Sequence, residues 1–236
     1  MNNRFLKEAT KTLFVFLLIV PSKAIAGCNF KTSEYINELN SPKSIKKIEL
    51  KTPDSRGYNI NFMKTTISKS ENIPPKLKKK FKANIDVIYQ FGKCSYEGRV
   101  WQNGDWKDHI TMKNGKPLRS LNVKLKEGNI MNATKFKLLI PKTRNSLNEI
   151  LGSLIARNLG FISPETFEVP VSVNNIDSLM LFQEDSQKEL LERNHRREGP
   201  IFEGDESLLW SIKNKSNGEL EDISLARLIN RKWFLK

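Results

Sequence analysis

A nearly regular alternation of apolar and polar residues between positions 83 and 100 is the feature that most limits how this chain can fold. The small or apolar members of the two runs are Ala83, Ile85, Val87, Tyr89 and Phe91, then Cys94, Tyr96, Gly98 and Val100. Spacing by two puts them on one face of a strand, and Gly92 between the runs predicts a turn. The pattern therefore predicts a β-hairpin with one buried face.

Other segments extend this pattern along the chain. Extended segments are predicted after the hairpin at residues 121–125, 136–140 and 166–183, the last a second hairpin that turns at Asn174 and Asn175. Less regular segments are predicted before it: a short helical entry at 29–40, a strand at 45–50 and an extended or mixed segment at 58–68. Residues 83–140 are thus expected to form one antiparallel sheet.

One helix is signalled explicitly at residues 146–159. Ser146 stands three residues before Glu149, which is the arrangement of a capping box, and apolar residues recur at helical spacing through this segment. Gly160 ends the helix, and a shorter polar helix is predicted at residues 187–194. Because strands are followed by a helix, two more strands and a second helix, the sequence predicts an α+β fold, an antiparallel sheet with packed helices.

The N-terminus carries the three parts of a secretory signal peptide. Basic residues within positions 4–11 precede an apolar run at 13–20, and small residues follow at 24–26. The apolar run is much shorter than the roughly 20 residues that span a bilayer, so we expect removal after residue 26 and no transmembrane helix in the mature chain. The alternative is a lipobox, in which Cys28 would carry a lipid.

Export bears on the cysteines and on the charge. Cys28 and Cys94 are the two cysteines of the chain, and because disulfides persist outside the cytoplasm, ordinary cleavage predicts a bond between them. The formal net charge is +14, and loss of residues 1–26, with four Lys or Arg and one Glu, leaves +11. In the periplasm or outside the cell, an anionic glycan, a phosphorylated ligand or an acidic envelope surface is a better partner than nucleic acid. A solvated basic surface without a dedicated partner is the alternative.

An ordered series of short motifs runs through the second half of the chain. They are Arg99-Val-Trp-Gln-Asn-Gly-Asp-Trp-Lys-Asp-His109, Ser120-Leu-Asn-Val-Lys-Leu-Lys126, Phe136-Lys-Leu-Leu-Ile-Pro-Lys-Thr-Arg-Asn145, Leu159-Gly-Phe-Ile-Ser-Pro164 and Leu181-Phe-Gln-Glu184. In order and spacing, residues 95–206 resemble the CotH family of spore-coat-type atypical kinases. The resemblance implies the N-terminal lobe of a kinase-like fold at residues 83–206, after an N-terminal extension at 27–82 and before a helical tail at 207–236. It also implies ATP and Mg²⁺ as cofactors.

That resemblance points to two nucleotide-site residues. Lys124 lies opposite the buried face of its strand, where kinase sheets carry the lysine that neutralises phosphate charge, and Glu149 at the start of the next helix would pair with it. The resemblance therefore implies a Lys124–Glu149 ion pair. From the residues alone, Lys124 reads equally as a surface lysine, and Glu149 reads equally as the capping-box partner of Ser146.

Other polar groups are candidates for binding an anion. Arg144 precedes a helix N-terminus, where backbone N–H groups favour an anion, so a phosphate or sulfated sugar is predicted there, with a local carboxylate as the alternative partner. A basic cluster at residues 193–197 and a lysine run at 76–80 are predicted to be exposed. The loop at 104–109 contains Asp, Trp and His and is expected to be a polar turn, not a metal site.

The carboxylates that phosphoryl transfer requires are hard to place after residue 184. They must position the acceptor and hold Mg²⁺, but Asp185, Asp205 and Asp222 stand in no catalytic-loop sequence, and an apolar-rich helical stretch at 223–234 follows. The sequence therefore predicts an exported CotH-like phosphate-binding lobe, inactive as it stands and with catalytic residues unknown. The alternative is a non-catalytic envelope or polysaccharide-associated binding protein that uses a basic face.

Overall fold

The computed structural model describes residues 27–30, 33–70, 72–113, 115–145, 147–204 and 226–230. The predicted signal peptide lies outside these residues, as do Ser146, Asp205 and Asp222 and, except for 226–230, the helical tail predicted at 207–236.

Twelve strands and three α-helices make up the regular structure of the described residues. The strands are β1 (Cys28–Phe30), β2 (Ile45–Lys51), β3 (Phe81–Tyr89), β4 (Gly92–Gln102), β5 (Ile110–Lys113), β6 (Lys116–Arg119), β7 (Leu121–Leu125), β8 (Lys135–Leu139), β9 (Thr166–Val173), β10 (Ile176–Glu184), β11 (Phe202–Gly204) and β12 (Ala226–Leu228). The α-helices are α1 (Ser55–Ile67), α2 (Asn148–Asn158) and α3 (Lys188–Arg193). Short 3₁₀ helices lie at Ser33–Asn40, Pro42–Ser44, Pro75–Leu77, Lys107–His109 and Pro141–Arg144.

Strands β4, β3, β2, β9, β10, β8 and β7 form a closed barrel in that order, because β7 pairs back onto β4. All neighbours are antiparallel except β2 and β9, which are parallel. Strand β4 allows closure because one side pairs with β3 and the other side pairs first with β1 and then with β7. At Gly98, where the change of partner occurs, a Cβ would stand 2.6 Å from the Lys124 carbonyl oxygen.

The barrel interior is filled by the apolar positions of the alternating strands. Fully buried members include Ile48, Ile85, Val123 and Phe136. Phe182 stacks on Phe136 with ring centroids 4.6 Å apart. Since burial of one such side chain contributes about 1.5–3 kcal/mol, the alternation explains why these segments close around a common core.

Helix α1 packs against the barrel through Tyr58, which is part of the core. Arg119 on β6 is almost fully buried beneath it. Its guanidinium lies 3.8 Å from the Tyr58 ring centroid and donates to Asn61 Oδ1 at 2.9 Å. The planar guanidinium of Arg119, which contacts a ring and an amide of α1, thus joins this helix to the β5–β6 hairpin.

The predicted Cys28–Cys94 disulfide is confirmed. The two cysteines lie directly opposite each other on β1 and β4, with Cα atoms 3.9 Å apart. The bond ties the three residues of β1 to the barrel, and it fits a protein exported from the cytoplasm. With the Cys28 sulfur in this bond, it is not free to carry a lipid. No helix in the described part of the chain is long and apolar enough to cross a membrane.

The predicted α+β fold, a sheet with packed helices like the N-terminal lobe of a kinase, is wrong. The hairpins at residues 83–100 and 166–183 and the strands near 121–125 and 136–140 are present. However, β2 lies between β3 and β9, and β7 returns to β4, so these strands close into a barrel and do not form an open sheet. Two local predictions also differ: residues 58–68 fall largely in α1, and residues 226–228 form a strand where a helix was expected.

Candidate anion-binding site

A row of four cationic side chains crosses the outside of the barrel. In order from β3 through β4 and β7 to β8, they are Lys82, Arg99, Lys124 and Lys135. Each one is directly opposite the next in the strand register. Their strand neighbours Ala83, Val100, Val123 and Phe136 are buried in the core, so by strand alternation the cations face outward. We call these four residues the cation row.

The geometry of the cation row follows from sheet dimensions. Neighbouring strands are about 4.8 Å apart, so three steps carry the row over about 14 Å of the barrel surface. Like charges directly opposite on paired strands repel each other and destabilise a sheet. Three such contacts in succession are therefore unfavourable for folding, and they favour a ligand that presents several negative charges at similar spacing.

Few carboxylates neutralise the row. Asp185 forms ion pairs with Lys135 at 2.5 Å and with Lys137, the next outward residue of β8, at 3.7 Å. In the part of the chain that the structure describes, no ion pair includes Lys82, Arg99 or Lys124. These three exposed side chains are therefore available to pair with a ligand.

An aromatic side chain lies beside the row. Trp101 is the next outward residue of β4 after Arg99, and the Lys80 ammonium nitrogen lies 5.0 Å from its ring centroid. The Lys135 ammonium nitrogen is 5.9 Å from the same centroid. Cation–π contacts hold both lysines over the ring and keep the positive charges together. The basic wall is the cation row together with Lys80 and Lys137.

The structure places Lys124 and Glu149 in different surroundings. Lys124 is exposed in the middle of the cation row. Glu149 lies in the first turn of α2 and accepts a hydrogen bond from the Gln183 side chain. Among the described ion pairs there is none between them. The cations opposite Lys124 are Arg99 and Lys135, so the residue belongs to a cluster of like charges.

Arg144 ends a 3₁₀ helix, four residues before α2 begins. Its Nε atom is buried and has no hydrogen-bond partner within the described structure. His109 is also buried, and its Nδ1 atom is likewise unpaired there. Burial lowers the pKa of His109, Asp108 opposes this, and the nearby charge of Arg144 lowers the pKa further. Arg144 therefore acts on the loop at 104–109, in which Lys107–His109 form a 3₁₀ helix and Trp106 is partly exposed.

The basic cluster at 193–197 and the lysine run at 76–80 each contain a residue held in an ion pair and others that are exposed. Arg193 is half-buried and pairs with Glu165 at 2.9 Å and with the buried Glu184 at 2.5 Å. The next basic residues, Arg196 and Arg197, are exposed. In the lysine run at 76–80, Lys78 pairs with Asp105, whereas Lys80 joins the basic wall.

A metal centre or a ligand groove in the described residues would be an alternative to the basic wall. No three His, Cys, Asp or Glu side chains there are grouped so that they could hold a metal ion. A groove of about 640 Å³ beside the disulfide is lined by Gly27, Tyr89 and Lys93, among others. Lys93 is paired with Asp86 at 2.7 Å, so the groove presents little free charge. The basic wall is the stronger candidate site.

Sequence reasoning selected Lys124 but missed the other members of the cation row. The outward direction of the other three could have been predicted, because Lys82, Arg99 and Lys135 occupy the polar positions of alternating strands. The turn at Gly92 would have placed Lys82 opposite Arg99. The pairing of β4 with β7 was not readable, because it joins strands separated by the β5–β6 hairpin.

The fold and site define a class: a disulfide-bonded, closed β-barrel with a basic outer surface. No family model matches the chain, and no curated protein matches it significantly. The CotH-like assignment therefore stays a prediction from the motifs, and the nucleotide site has lost the kinase-like lobe on which it depended.

Proposed function

We propose that this protein is a non-catalytic binding protein of the cell envelope, periplasmic or extracellular, that binds a polyanionic surface with its basic wall. The observation that carries the proposal is the cation row, in which four cations stand directly opposite one another and three have no ion pair within the described structure. The expected ligand presents phosphate, sulfate or carboxylate groups in series.

The charge of the whole chain supports this function. The net charge of +11 that remains after loss of residues 1–26 creates a positive field that attracts anionic surfaces over distances of about a Debye length, roughly 10 Å at 0.1 M salt. The basic wall concentrates that charge at one place. Trp101 adds an apolar ring against which the flat side of a sugar or the stem of a headgroup can pack.

The proposal is tested by removing the three unpaired cations together. The variant Lys82→Gln/Arg99→Gln/Lys124→Gln is compared with Lys43→Gln/Lys69→Gln/Lys116→Gln, which changes the net charge equally at exposed lysines outside the basic wall. Binding to immobilised heparin and to polyphosphate is measured at several salt concentrations. Since a basic residue near an anionic surface contributes about 1 kcal/mol, we expect the first variant to bind about a hundredfold more weakly.

The control separates a specific site from general basicity. It should lose less than about fivefold in affinity, because its charges lie away from the basic wall. Equal losses in the two variants would show that only net charge matters and would contradict the proposal. Binding by the parent that does not weaken with salt would contradict it as well, since exposed ion pairs are screened.

A further inference from the structure

Helix α2 is attached to the barrel by its polar side. The Glu149 carboxylate accepts a hydrogen bond from Gln183 on β10, and the hydroxyls of Ser153 and Thr166 lie 3.1 Å apart. In the last turn, Arg157 pairs with Glu165. These contacts stand on the face of the helix that a globular protein normally fills with apolar side chains.

The apolar side of α2 faces outward instead. Its exposed members, together with the residues just after the helix, are Leu147, Leu151, Leu154, Ile155, Leu159, Phe161 and Ile162. Leu151 is 56 % exposed and Ile155 is 50 % exposed. Because residues spaced by three and four lie on one side of a helix, this is a continuous apolar stripe, and large exposed apolar patches mark interaction sites. We call these seven residues the apolar stripe.

The apolar stripe adjoins the basic wall. Gln183, which holds Glu149, is directly opposite Lys137 in the β8–β10 register. The one carboxylate in the sequence of α2 is Glu149, which is bound to the barrel, so the stripe itself carries no acid. Lys142 lies exposed in the 3₁₀ helix before α2. Apolar and cationic surfaces are thus continuous around this side of the molecule.

We infer that the polyanionic surface bound by this protein is an anionic lipid bilayer, into which the apolar stripe inserts while the basic wall contacts the headgroups. This inference rests on the proposed function and names its ligand. Amphipathic helices of interfacial proteins lie in the headgroup region with their apolar side buried, and anionic lipid strengthens their binding. A second copy of the chain fits less well, because each mature copy carries a net charge of +11 and the two basic walls would approach each other.

The test uses the mature, disulfide-bonded chain and vesicles of phosphatidylcholine with or without phosphatidylglycerol. The variant Leu151→Ser/Ile155→Ser replaces two exposed apolar side chains in the middle of the apolar stripe by polar ones. Its control is Ile60→Ser/Met63→Ser on α1, where the side chains are 47 % and 53 % exposed. We expect the parent to sediment with the anionic vesicles, the stripe variant to bind them at least tenfold more weakly, and the control to bind like the parent.

Heparin binding distinguishes the two proposals. The stripe variant should keep the parent's affinity for heparin, whereas the Lys82→Gln/Arg99→Gln/Lys124→Gln variant should lose both ligands. If the parent binds heparin but not anionic vesicles, or if the stripe variant binds vesicles as tightly as the parent, the lipid inference is wrong. The proposed binding of polyanions by the basic wall would still hold. A parent dimer that the stripe substitutions dissociate without any change in vesicle binding would assign the stripe to a second copy.

A second measurement uses a substitution that keeps the stripe apolar. Leu154→Trp retains a large apolar side chain, and brominated phosphatidylglycerol should quench its added fluorescence on vesicle binding. Met63→Trp on α1 is the matched control and should show little added quenching. Equal quenching at the two positions would mean that the apolar stripe enters the bilayer no more than α1 does, and it would overturn the inference.

Discussion

At Lys124, folding and binding make opposite demands. The residue stands between Arg99 and Lys135 on the two neighbouring strands, and its charge has no carboxylate partner within the described structure. We expect Lys124→Thr to raise the free energy of unfolding by roughly 0.5–1 kcal/mol, because it removes two like-charge contacts and threonine suits a strand. The same change should weaken heparin binding. Urea denaturation and heparin affinity measured on one preparation check both effects.

Lys93 on β4 provides the control for threonine in a strand. It is exposed like Lys124, but it pairs with Asp86 at 2.7 Å. Lys93→Thr should therefore leave stability unchanged or lower it by a few tenths of a kcal/mol. If both substitutions stabilise the protein equally, the gain comes from threonine in general, and repulsion in the cation row is not its cause.

His109 makes stability depend on pH. Its pKa is lowered mainly by burial, with Asp108 and Asp105 opposing and Arg144 and Lys78 contributing to the decrease. Above the ordinary pKa of about 6.5, neither folded nor unfolded chains bind the proton. As the pH falls from there toward the folded pKa, only unfolded chains bind it, so stability is lost at up to about 1.4 kcal/mol per pH unit.

The prediction is that His109→Gln reduces this loss. Urea denaturation at pH 7 and pH 5 should show a larger fall in unfolding free energy for the parent than for the variant. Glu184, whose pKa is raised mainly by burial, works in the opposite direction but is present in both proteins. Equal falls in parent and variant would mean that His109 takes up its proton in the folded state as easily as in the unfolded chain.

Among the elements, β1 depends most clearly on a covalent bond. It has three residues, and the disulfide joins it to β4 across a sequence separation of 66. By loop-closure entropy, we expect Cys28→Ser/Cys94→Ser to lower the free energy of unfolding by about 4 kcal/mol. Hydrogen exchange should become fast at residues 28–30 while the centre of β3 stays protected. Unchanged stability, or equal loss of protection in β3, would contradict this account of β1.

The helices show where sequence periodicity misleads. Tyr58, Ile60 and Phe62 alternate like a strand, yet this segment is α1, and its buried residues Tyr58, Asn61, Phe62 and Thr65 follow helical spacing. Two polar residues, Asn61 and Thr65, complete the buried side because they make internal hydrogen bonds. The helical spacing of α2 was recognised, but the spacing alone cannot show that its apolar side faces outward. The orientation depends on Glu149 and Ser153 finding partners on the barrel.

At the scale of the whole molecule, the closure of the barrel could not be predicted from the sequence. The local hairpins β3–β4 and β9–β10 follow from alternation and turn residues. The parallel contact of β2 with β9 joins Ile48 to Val171, far apart in the chain, and no local pattern encodes it. The basic wall is a consequence of the same non-local register, which is why Lys124 was recognised as an outward residue but not as part of a row.

The closed barrel predicts that β2, its first strand in the chain, unfolds together with the later barrel strands. Ile48 is fully buried on β2, opposite Val87 of β3 and Val171 of β9. Ile48→Ala should therefore lower the free energy of unfolding by about 2–4 kcal/mol. It should shift one cooperative urea transition, seen alike by circular dichroism and tryptophan fluorescence. Leu138→Ala on β8 should behave in the same way.

The comparison of probes decides whether residues 27–82 belong to the barrel. A separate N-terminal extension would unfold by itself, so Ile48→Ala would then split the transition and leave the fluorescence of Trp101 on β4 unshifted. In a closed barrel this cannot occur, because loss of β2 leaves β3 and β9 each without one of their two neighbours and exposes the common core. Lys46→Ala changes an exposed residue of the same strand and should change the free energy of unfolding by less than about 0.5 kcal/mol. That result would show that the loss in Ile48→Ala comes from the buried position of the side chain.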